Sequence, residues 1–464
     1  MHTNKLSMTE GRLFGPMISY TIPIILTGLL QLFFSAADLV IVGQFGKSGS
    51  NAVAAVGCTG SLTNLITNFF IGCSAGSGVT VAHSLGAKNR EAVHNAVHTI
   101  VPLSAVGGAV ISAVGIILAE PMLLLMSTPD NIIELSTIYM QIIFAGMIPN
   151  MIYNFGASIL RAAGESKKPL YFLVISGIVN VILNLLFVMV FGLDVEGVAI
   201  ATVIAHVLSA MLVLRERIKR SDDCKLELGK MKFYSESIKS IFRMGIPAGI
   251  QSSLFSVANI IIQSSTNALD TVYAGVVAGG AAASNIQNFA FMTNSGFHQT
   301  AMNYTGQNVG SGKYDRVKKI TVISLICVAI TAIVVGVLMT VFAEPLLRIY
   351  ITDSEEAVNW GVIRMICMCL PYFTAGIMDV TTGILRGMGL SLFPMLSSIF
   401  CICIFRIVWV YTVFAMPAYH TPESLWLSFP ISWVLSFTIQ FIVLIRVLNK
   451  KLKTQKERDA KNDG

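Results

Sequence analysis

A single carboxylate, Asp38, lies in the long apolar stretch from residue 13 to residue 42. An aspartate at the centre of a membrane helix costs about 2.5 to 3.5 kcal/mol on insertion scales, so such residues usually serve an ion path or a substrate site. Asp38 is therefore our candidate for binding the coupling cation of a transporter. A hydrated carboxylate at the membrane boundary is the alternative that the sequence leaves open.

Two asparagines and a threonine follow in later apolar segments. Asn180 and Asn184 are four residues apart, so they share one face of a helix. Thr202 lies in the next apolar span. We expect these three side chains to be neighbours of Asp38. Hydrogen bonding between helices is the alternative role of the asparagines, because such bonds are common in membranes.

Other polar side chains in the apolar spans are candidates for contacting a substrate. Gln31 lies seven residues before Asp38, on the same helix face, and Asn150 and Asn154 share a face of another span. Met151 has the flexible side chain that suits promiscuous binding. The residues predicted to line a cavity in the second half of the chain are Asn259, Gln287, Asn288 and Asp379. Helix packing is the alternative role, and for Asp379 a second protonation site or an ion pair with an arginine is open.

The composition is that of a polytopic membrane protein. Of the 464 residues, 54% are hydrophobic and 12% are charged, whereas soluble proteins carry about 25% charged residues. A cleavable signal peptide is not evident, because the first apolar run is too long for one. The twelve predicted spans are residues 13–42, 52–82, 93–118, 131–160, 169–191, 196–214, 238–267, 274–305, 317–342, 357–387, 393–416 and 424–448.

The charged loops predict the orientation of the chain. Basic residues concentrate in every second loop, and acidic residues dominate the others. Because basic loops stay in the cytoplasm, both termini are predicted to be cytoplasmic in a multi-pass protein of the inner (plasma) membrane. The net charge of +7 therefore reflects membrane topology, and nucleic acid is not an expected partner.

The two halves of the chain repeat each other. Pro23 and Pro247 are separated by 247 − 23 = 224 residues, and the glycines of SLGAKN and NVGSGK, Gly86 and Gly310, by 310 − 86 = 224. Six spans in each half preserve direction, which predicts parallel repeats about an axis along the membrane normal. The predicted domains are an N-terminal lobe (1–215), a cytoplasmic linker (216–237), a C-terminal lobe (238–448) and a basic polar tail (449–464).

The sequence resembles the multidrug and toxic compound extrusion (MATE) family over nearly its whole length. The resemblance is carried by the IP…Q…DLVIVGQ pattern at Ile22–Gln44, AAVG at Ala54–Gly57, SLGAKN at Ser84–Asn89, ILRAAGESKKP at Ile159–Pro169 and ILRGMG at Ile384–Gly389. It implies an all-α protein of twelve transmembrane helices, in two six-helix lobes that form a V. It also implies a cation-coupled antiporter that exports organic compounds, cationic or amphipathic, by alternating access.

The resemblance implies a cation site like that of other family members. Its ligands are the aspartate of the first span, an asparagine and an aspartate four residues apart in the fifth span, and a threonine in the sixth span. Asp38, Asn180 and Thr202 match this pattern, whereas Asn184 stands where many relatives have aspartate. The missing charge weakens the case for sodium, so the coupling ion is predicted to be a proton, with sodium as the alternative. A sodium ion at Asp38 would be the only metal, and no cofactor is expected.

A flippase and a membrane-embedded enzyme are the two alternatives to a drug transporter. A flippase for a lipid-linked precursor has a related fold, but it usually has fourteen spans and a cationic cavity. Embedded basic residues are few here, Arg364 and Arg406 being the main cases, which disfavours a flippase. A membrane-embedded enzyme would need paired acids, histidines or metal ligands inside the spans, and the sequence has no such pattern. We therefore expect a transporter of small molecules that acts as a monomer in the bilayer and is not an enzyme.

Overall fold

The computed structural model describes residues 8–126, 128–352 and 354–462, with the backbone alone for residues 61, 461 and 462. The extreme ends, residues 1–7 and 463–464, which were predicted to be cytoplasmic, lie outside these ranges. Every regular element in the described ranges is helical. The α-helices are α1 (Phe14–Phe45), α2 (Ser50–Gly86), α3 (Arg90–Leu125), α4 (Asp130–Ala145), α5 (Met147–Ala162), α6 (Lys167–Leu185), α7 (Val195–Lys219), α8 (Ser235–Leu269), α9 (Val276–Gly310), α10 (Tyr314–Val341), α11 (Ala343–Arg348), α12 (Glu355–Cys369), α13 (Tyr372–Gly387), α14 (Leu392–Ser398), α15 (Phe405–Tyr411) and α16 (Pro422–Asn462).

The helices account for the predicted membrane spans. Within the described residues, nine helical stretches are long and apolar enough to cross a membrane, or eleven if each of two bent pairs is one span. The remaining predicted span, 274–305, corresponds to α9, which is 35 residues long. Its sequence is more polar because it includes Asn285, Gln287 and Asn288. The prediction of an all-helical, multi-pass membrane protein is confirmed.

Two predicted spans are each broken into two helices. α4 and α5 meet at Gly146 with a bend of 47°, and α12 and α13 meet beside Pro371 with a bend of 44°. A Cβ atom at Gly146 would lie 2.6 Å from Cγ2 of Val203, so the bare glycine lets α7 approach the first bend. Pro371 lacks the N–H group that would continue the helical hydrogen bonds. The spans predicted at 131–160 and 357–387 are therefore bent rather than straight.

The described chain forms two compact units. The first holds Leu26–Gly249, and the second holds the described parts of Ser7–Ile25 and Ile250–Gly464. Both divisions fall two residues after a proline inside a helix, Pro23 in α1 and Pro247 in α8. They are separated by 249 − 25 = 224 residues, which is the offset of the sequence repeat.

In the first unit, α2 crosses the start of α8 at very close range. A Cβ atom at Gly72 would lie 2.6 Å from the carbonyl oxygen of Ala248, and one at Gly76 would collide with the backbone of Gly245. Real Cβ atoms do not come this close to neighbouring backbone atoms. Glycine is therefore required at these positions for the two helix backbones to touch.

The second unit repeats this crossing between α9 and the start of α1. A Cβ atom at Gly296 would collide with the side chain of Ile25, and the hydroxyl groups of Thr300 and Thr21 share a hydrogen bond of 2.8 Å. The two α9 positions follow the two α2 glycines by the repeat offset, since 296 − 72 = 224 and 300 − 76 = 224. The sequence repeat is therefore also a repeat of helix contacts, in which a threonine pair replaces a glycine pair.

We expect Gly76→Ala to lower the free energy of unfolding by about 1 to 3 kcal/mol, because the added methyl group overpacks the contact with Gly245. Gly57 is a matched control in the same helix, since a Cβ atom there would meet nothing within 4 Å. Gly57→Ala should leave the stability unchanged or raise it by up to about 1 kcal/mol. Thermal unfolding of the purified variants in detergent compares them, and equal midpoints would contradict the close crossing.

Candidate functional site

Asp38 in α1 is held by a ring of polar side chains from α6 and α7. Asn184 donates its Nδ2 group to Oδ1 of Asp38 at 2.5 Å and to Oδ1 of Asn180 at 3.3 Å. Asn180 donates in turn to Oγ1 of Thr202 at 3.2 Å. The structure thus brings the four residues of the predicted cation site together in the first unit. We call these four side chains the Asp38 ring.

A close approach of α1 to α6 positions the Asp38 ring. A Cβ atom at Gly177 would collide with the ring of Phe34, so the glycine leaves the space that this phenyl group fills. Phe34 lies one helical turn before Asp38, and Gly177 lies two turns before Asn184. A π-helical segment begins two residues after Asn184, and such segments are frequent at functional sites.

Burial leaves the Asp38 ring with an unused oxygen ligand. Asn184 is fully buried, and Asn180 is 5% exposed. Oδ1 of Asn184 has no hydrogen-bond partner among the described residues. Asp38 is the only carboxylate of the ring, and the described chain contains no cluster of three or more His, Cys, Asp or Glu side chains that would suit a metal ion. The arrangement therefore offers oxygen ligands for one proton or one monovalent cation.

Tyr139 was not predicted as part of the site. It lies in α4, is partly buried, and interacts electrostatically with Asp38. The only signal in the sequence was a phenol group in an apolar span, which is also common in ordinary packing.

The other polar candidates of the first unit do not form one site. Asn150 and Asn154 are paired, whereas Gln31 lies apart from them. Asn154 donates Nδ2 to Oδ1 of Asn150 at 2.7 Å. Both asparagines line a cavity of about 10 Å³ together with Met151 and Phe70. This volume holds about one water molecule, so it is too small for a drug in this conformation. Gln31 is exposed and does not line that cavity.

The second unit contains a larger cavity of about 240 Å³, which we call the second-unit cavity. The predicted residues that line it are Asn259, Gln287, Asn288 and Asp379. Its aromatic walls are formed by Phe255, Phe291, Tyr372, Phe429 and Trp433. Two arginines, Arg364 in α12 and Arg406 in α15, also line it.

Arg406 is held firmly against the cavity wall and is 4% exposed. It donates Nε to Oγ of Ser432 at 3.1 Å and Nη1 to Oδ1 of Asn259 at 3.2 Å. Its Cζ lies 3.9 Å from the centre of the Phe429 ring. These contacts orient the guanidinium group, but none of them supplies a negative charge.

Arg364 is 7% exposed and has far fewer contacts. It makes no hydrogen bond or ion pair with another residue of the described ranges, and its Nε atom is fully buried. Its Cζ lies 5.8 Å from the centre of the Trp426 ring. A cation–π contact contributes about 0.5 to 2 kcal/mol, whereas burying a charge costs several kcal/mol. The aromatic contact alone therefore does not offset the burial of this charge.

Asp379 does not form the direct ion pair that the sequence left open. Its electrostatic partners are Arg386 and Tyr372, but Arg386 donates Nη2 to Oε1 of Gln251 at 2.6 Å instead. Within the described ranges, no ion pair of 4.0 Å or less joins Asp379 to a basic side chain.

The sequence did not predict that Arg364 and Arg406 line the same cavity. Each was visible as a rare charge in an apolar span. They are 406 − 364 = 42 residues apart and on different helices, so their spacing gives no sign that they share a cavity.

The comparison with known families shows the family of the protein. The family model described as MatE matches residues 23–186 and 247–412, which is well over half of the chain. The protein belongs to the MatE family. This MATE chain is therefore a membrane transporter of small molecules, as predicted, and not an enzyme.

Similar proteins agree with this assignment. The MATE chain is 28% identical over 454 residues to the probable multidrug resistance protein YoeA of Bacillus subtilis, covering 95% of each. It is 23% identical over 384 residues to the FAD transporter of Shewanella oneidensis, covering 81% of this chain and 82% of that protein. A solved structure described as MATE in the bent conformation has a TM-score of 0.89 at 18% identity and covers 98% of this chain and 100% of its own. The fold expected from the resemblance is thus confirmed.

We expect Asn180→Ala to lower the free energy of unfolding by about 1 to 3 kcal/mol, because Thr202 and Asn184 each lose a buried hydrogen-bond partner. Asn131 provides a control in the same unit, since it makes an exposed amide contact of 3.4 Å with Asn51. Asn131→Ala should change the stability by less than about 0.5 kcal/mol. Thermal unfolding measures both, and an Asn180→Ala variant as stable as the wild type would argue against a tightly bonded ring.

Proposed function

We propose that this MATE protein is a cation-coupled antiporter that exports amphipathic or cationic organic compounds by alternating access. The observation that carries the proposal is the Asp38 ring, a lone carboxylate among neutral oxygen ligands within an apolar helix layer. Binding of a proton or cation there would shift the equilibrium between two conformations only by its different affinity for each. YoeA of Bacillus subtilis is described as a probable multidrug resistance protein, which supports organic compounds as the cargo.

The charge of the Asp38 ring supports a proton over sodium as the coupling ion. With Asn184 in place of a second carboxylate, the ring carries at most one negative charge, which a single proton neutralises completely. We propose the proton as the coupling ion and sodium as the alternative.

The remaining features of the proposal concern topology and assembly. The protein is a monomer of the inner (plasma) membrane with both termini in the cytoplasm, as the basic loops predict. Its working domains are the two lobes, 1–215 and 238–448, joined by the linker at 216–237. The linker includes the last turn of α7 and the first residues of α8. It contains Arg220, which forms an ion pair of 3.0 Å with Glu165.

A lipid-linked precursor flippase remains the second candidate. The observation that favours it is the presence of Arg364 and Arg406 in one cavity, because a flippase of related fold would use cationic groups to hold a phosphate. Transport of a soluble drug in vesicles distinguishes the two functions.

Asp38→Asn should abolish gradient-driven transport, because the amide cannot take up a proton or neutralise a cation. The measurement is ethidium transport into proteoliposomes under an imposed proton or sodium gradient, where the variant should fall to the rate of empty liposomes. Asp130→Asn, which changes an exposed carboxylate at the start of α4, should retain the wild-type rate. Full activity in Asp38→Asn would refute this coupling mechanism.

Asn184→Asp should strengthen the response to sodium, because a second carboxylate would join Asp38 in the ring. We expect the sodium concentration for half-maximal effect to fall by about tenfold or more, which corresponds to about 1.4 kcal/mol. Sodium-dependent thermal stabilisation of the purified protein measures the change. Asn154→Asp serves as the control, since Asn154 bonds to Asn150 and not to Asp38. An equal sodium response in both variants would count against an ion site at the Asp38 ring.

A further inference from the structure

We propose that the second-unit cavity binds the anionic group of an aromatic amphipathic compound, with Arg364 and Arg406 as its ligands. This inference deepens the proposed function, on which it rests only in taking the cavity to be a substrate site. It assigns to the second unit a charge preference opposite to that of the Asp38 ring.

The charges that line the cavity favour an anion. Two arginines and one aspartate give a formal charge of 2 − 1 = +1. Asp379 interacts electrostatically with Arg386 and Tyr372, and neither cavity arginine is among its partners in the described chain. Within the described residues, neither guanidinium group therefore forms an ion pair of 4.0 Å or less with a carboxylate.

The two arginines differ in a way that suits ligand binding. Arg406 is oriented by Ser432 and Asn259, which use two of its N–H groups and leave the others available. Arg364 is more than nine-tenths buried and has no acceptor for any of its N–H groups in the described ranges. A buried cation without an anion is unfavourable, so a carboxylate, sulfonate or phosphate entering the cavity would supply the acceptor that Arg364 lacks among the described residues. Arginine also matches the planar geometry of these groups.

The walls of the cavity indicate the chemical nature of the rest of the ligand, to which the anionic group is attached. The aromatic side chains that line it provide flat apolar surfaces, and Tyr372 and Trp433 pack edge to face with ring centres 5.5 Å apart. The volume of about 240 Å³ is somewhat below that of typical drug sites, about 300 to 1,000 Å³. A compound with one aromatic ring, or with two fused aromatic rings, and one anionic group fits these dimensions.

The test compares two probes with the same aromatic body and opposite charge. Naphthalene-2-sulfonate and (2-naphthylmethyl)trimethylammonium are titrated into the purified full-length protein, and binding is followed by naphthalene fluorescence and by calorimetry. No ion gradient is needed, so a failure of coupling leaves this result intact. We expect the wild type to bind the sulfonate at least about tenfold more tightly than the cation.

Variants then locate the binding site. Arg364→Gln and Arg406→Gln should each weaken sulfonate binding by about tenfold or more without weakening the cation, whereas Arg364→Lys should keep part of the preference. Arg348→Gln is the matched control, because Arg348 pairs with Glu344 and Glu355 away from the cavity. Thermal unfolding establishes that each variant is folded. If a glutamine variant is not folded, the binding measurement is made with Arg364→Lys instead.

Three results would overturn the proposal. The first is a wild type that binds the cation as tightly as the sulfonate, or more tightly. The second is sulfonate binding that is unchanged in both glutamine variants. The third is strong binding of dodecyl phosphate with no binding of the sulfonate, which would assign the arginines to a lipid phosphate instead of an aromatic anion.

Discussion

A polar side chain inside an apolar helix bundle must find its partners within the protein, because lipid offers none. In the first unit this constraint joins α1 to α6 and α7 through Asp38 and its amide and hydroxyl neighbours. In the second unit it joins α15 to α8 and α16 through Arg406. The same requirement builds both sites, but it is met completely in neither. Asn184 keeps an unused oxygen, and Arg364 keeps unused donors.

The internal repeat preserved the helix crossings and changed the chemistry around them. The α2–α8 and α9–α1 contacts occupy equivalent positions, yet the first has the glycine pair Gly76 and Gly245 where the second has a hydrogen bond between Thr300 and Thr21. The residue that matches Asp38 is Ile262, since 262 − 38 = 224, and it lines the second-unit cavity. Equivalent positions therefore border a candidate site in both units. One carries the coupling carboxylate of the proposed mechanism, and its counterpart is an apolar part of a cationic cavity.

This inequality gives each unit a separate task in the proposed transport cycle. A site with one carboxylate suits a proton or a monovalent cation, whereas a cavity with two arginines and aromatic walls suits an organic ligand of opposite charge. An ion and a substrate that bind different sites can influence each other only through the conformational equilibrium they share. Antiport by this protein would therefore be an indirect coupling between two sites and not a direct competition for one carboxylate.

Much of the architecture could be predicted from the sequence, because apolar length, loop charge and a repeat offset of 224 to 225 residues (310 − 86 = 224 and 386 − 161 = 225) are properties of the chain itself. The costly charge at Asp38 and the i, i+4 pair of Asn180 and Asn184 also identified one site before any contact was known. The chain alone did not reveal the bends at Gly146 and Pro371, since glycine and proline are common in membrane helices that do not bend so sharply.

The second site was decided by tertiary structure. Arg364 and Arg406 lie on separate helices, and only the packing of α8, α12, α13 and α15 places them around the same cavity as Asn259 and Asp379. Few embedded basic residues were an argument against a cationic cavity, but two are sufficient when the fold brings them together. The sequence therefore determined which costly charges the protein contains. The tertiary structure decided which of them have partners, because partners distant in the chain become neighbours only when the helices pack.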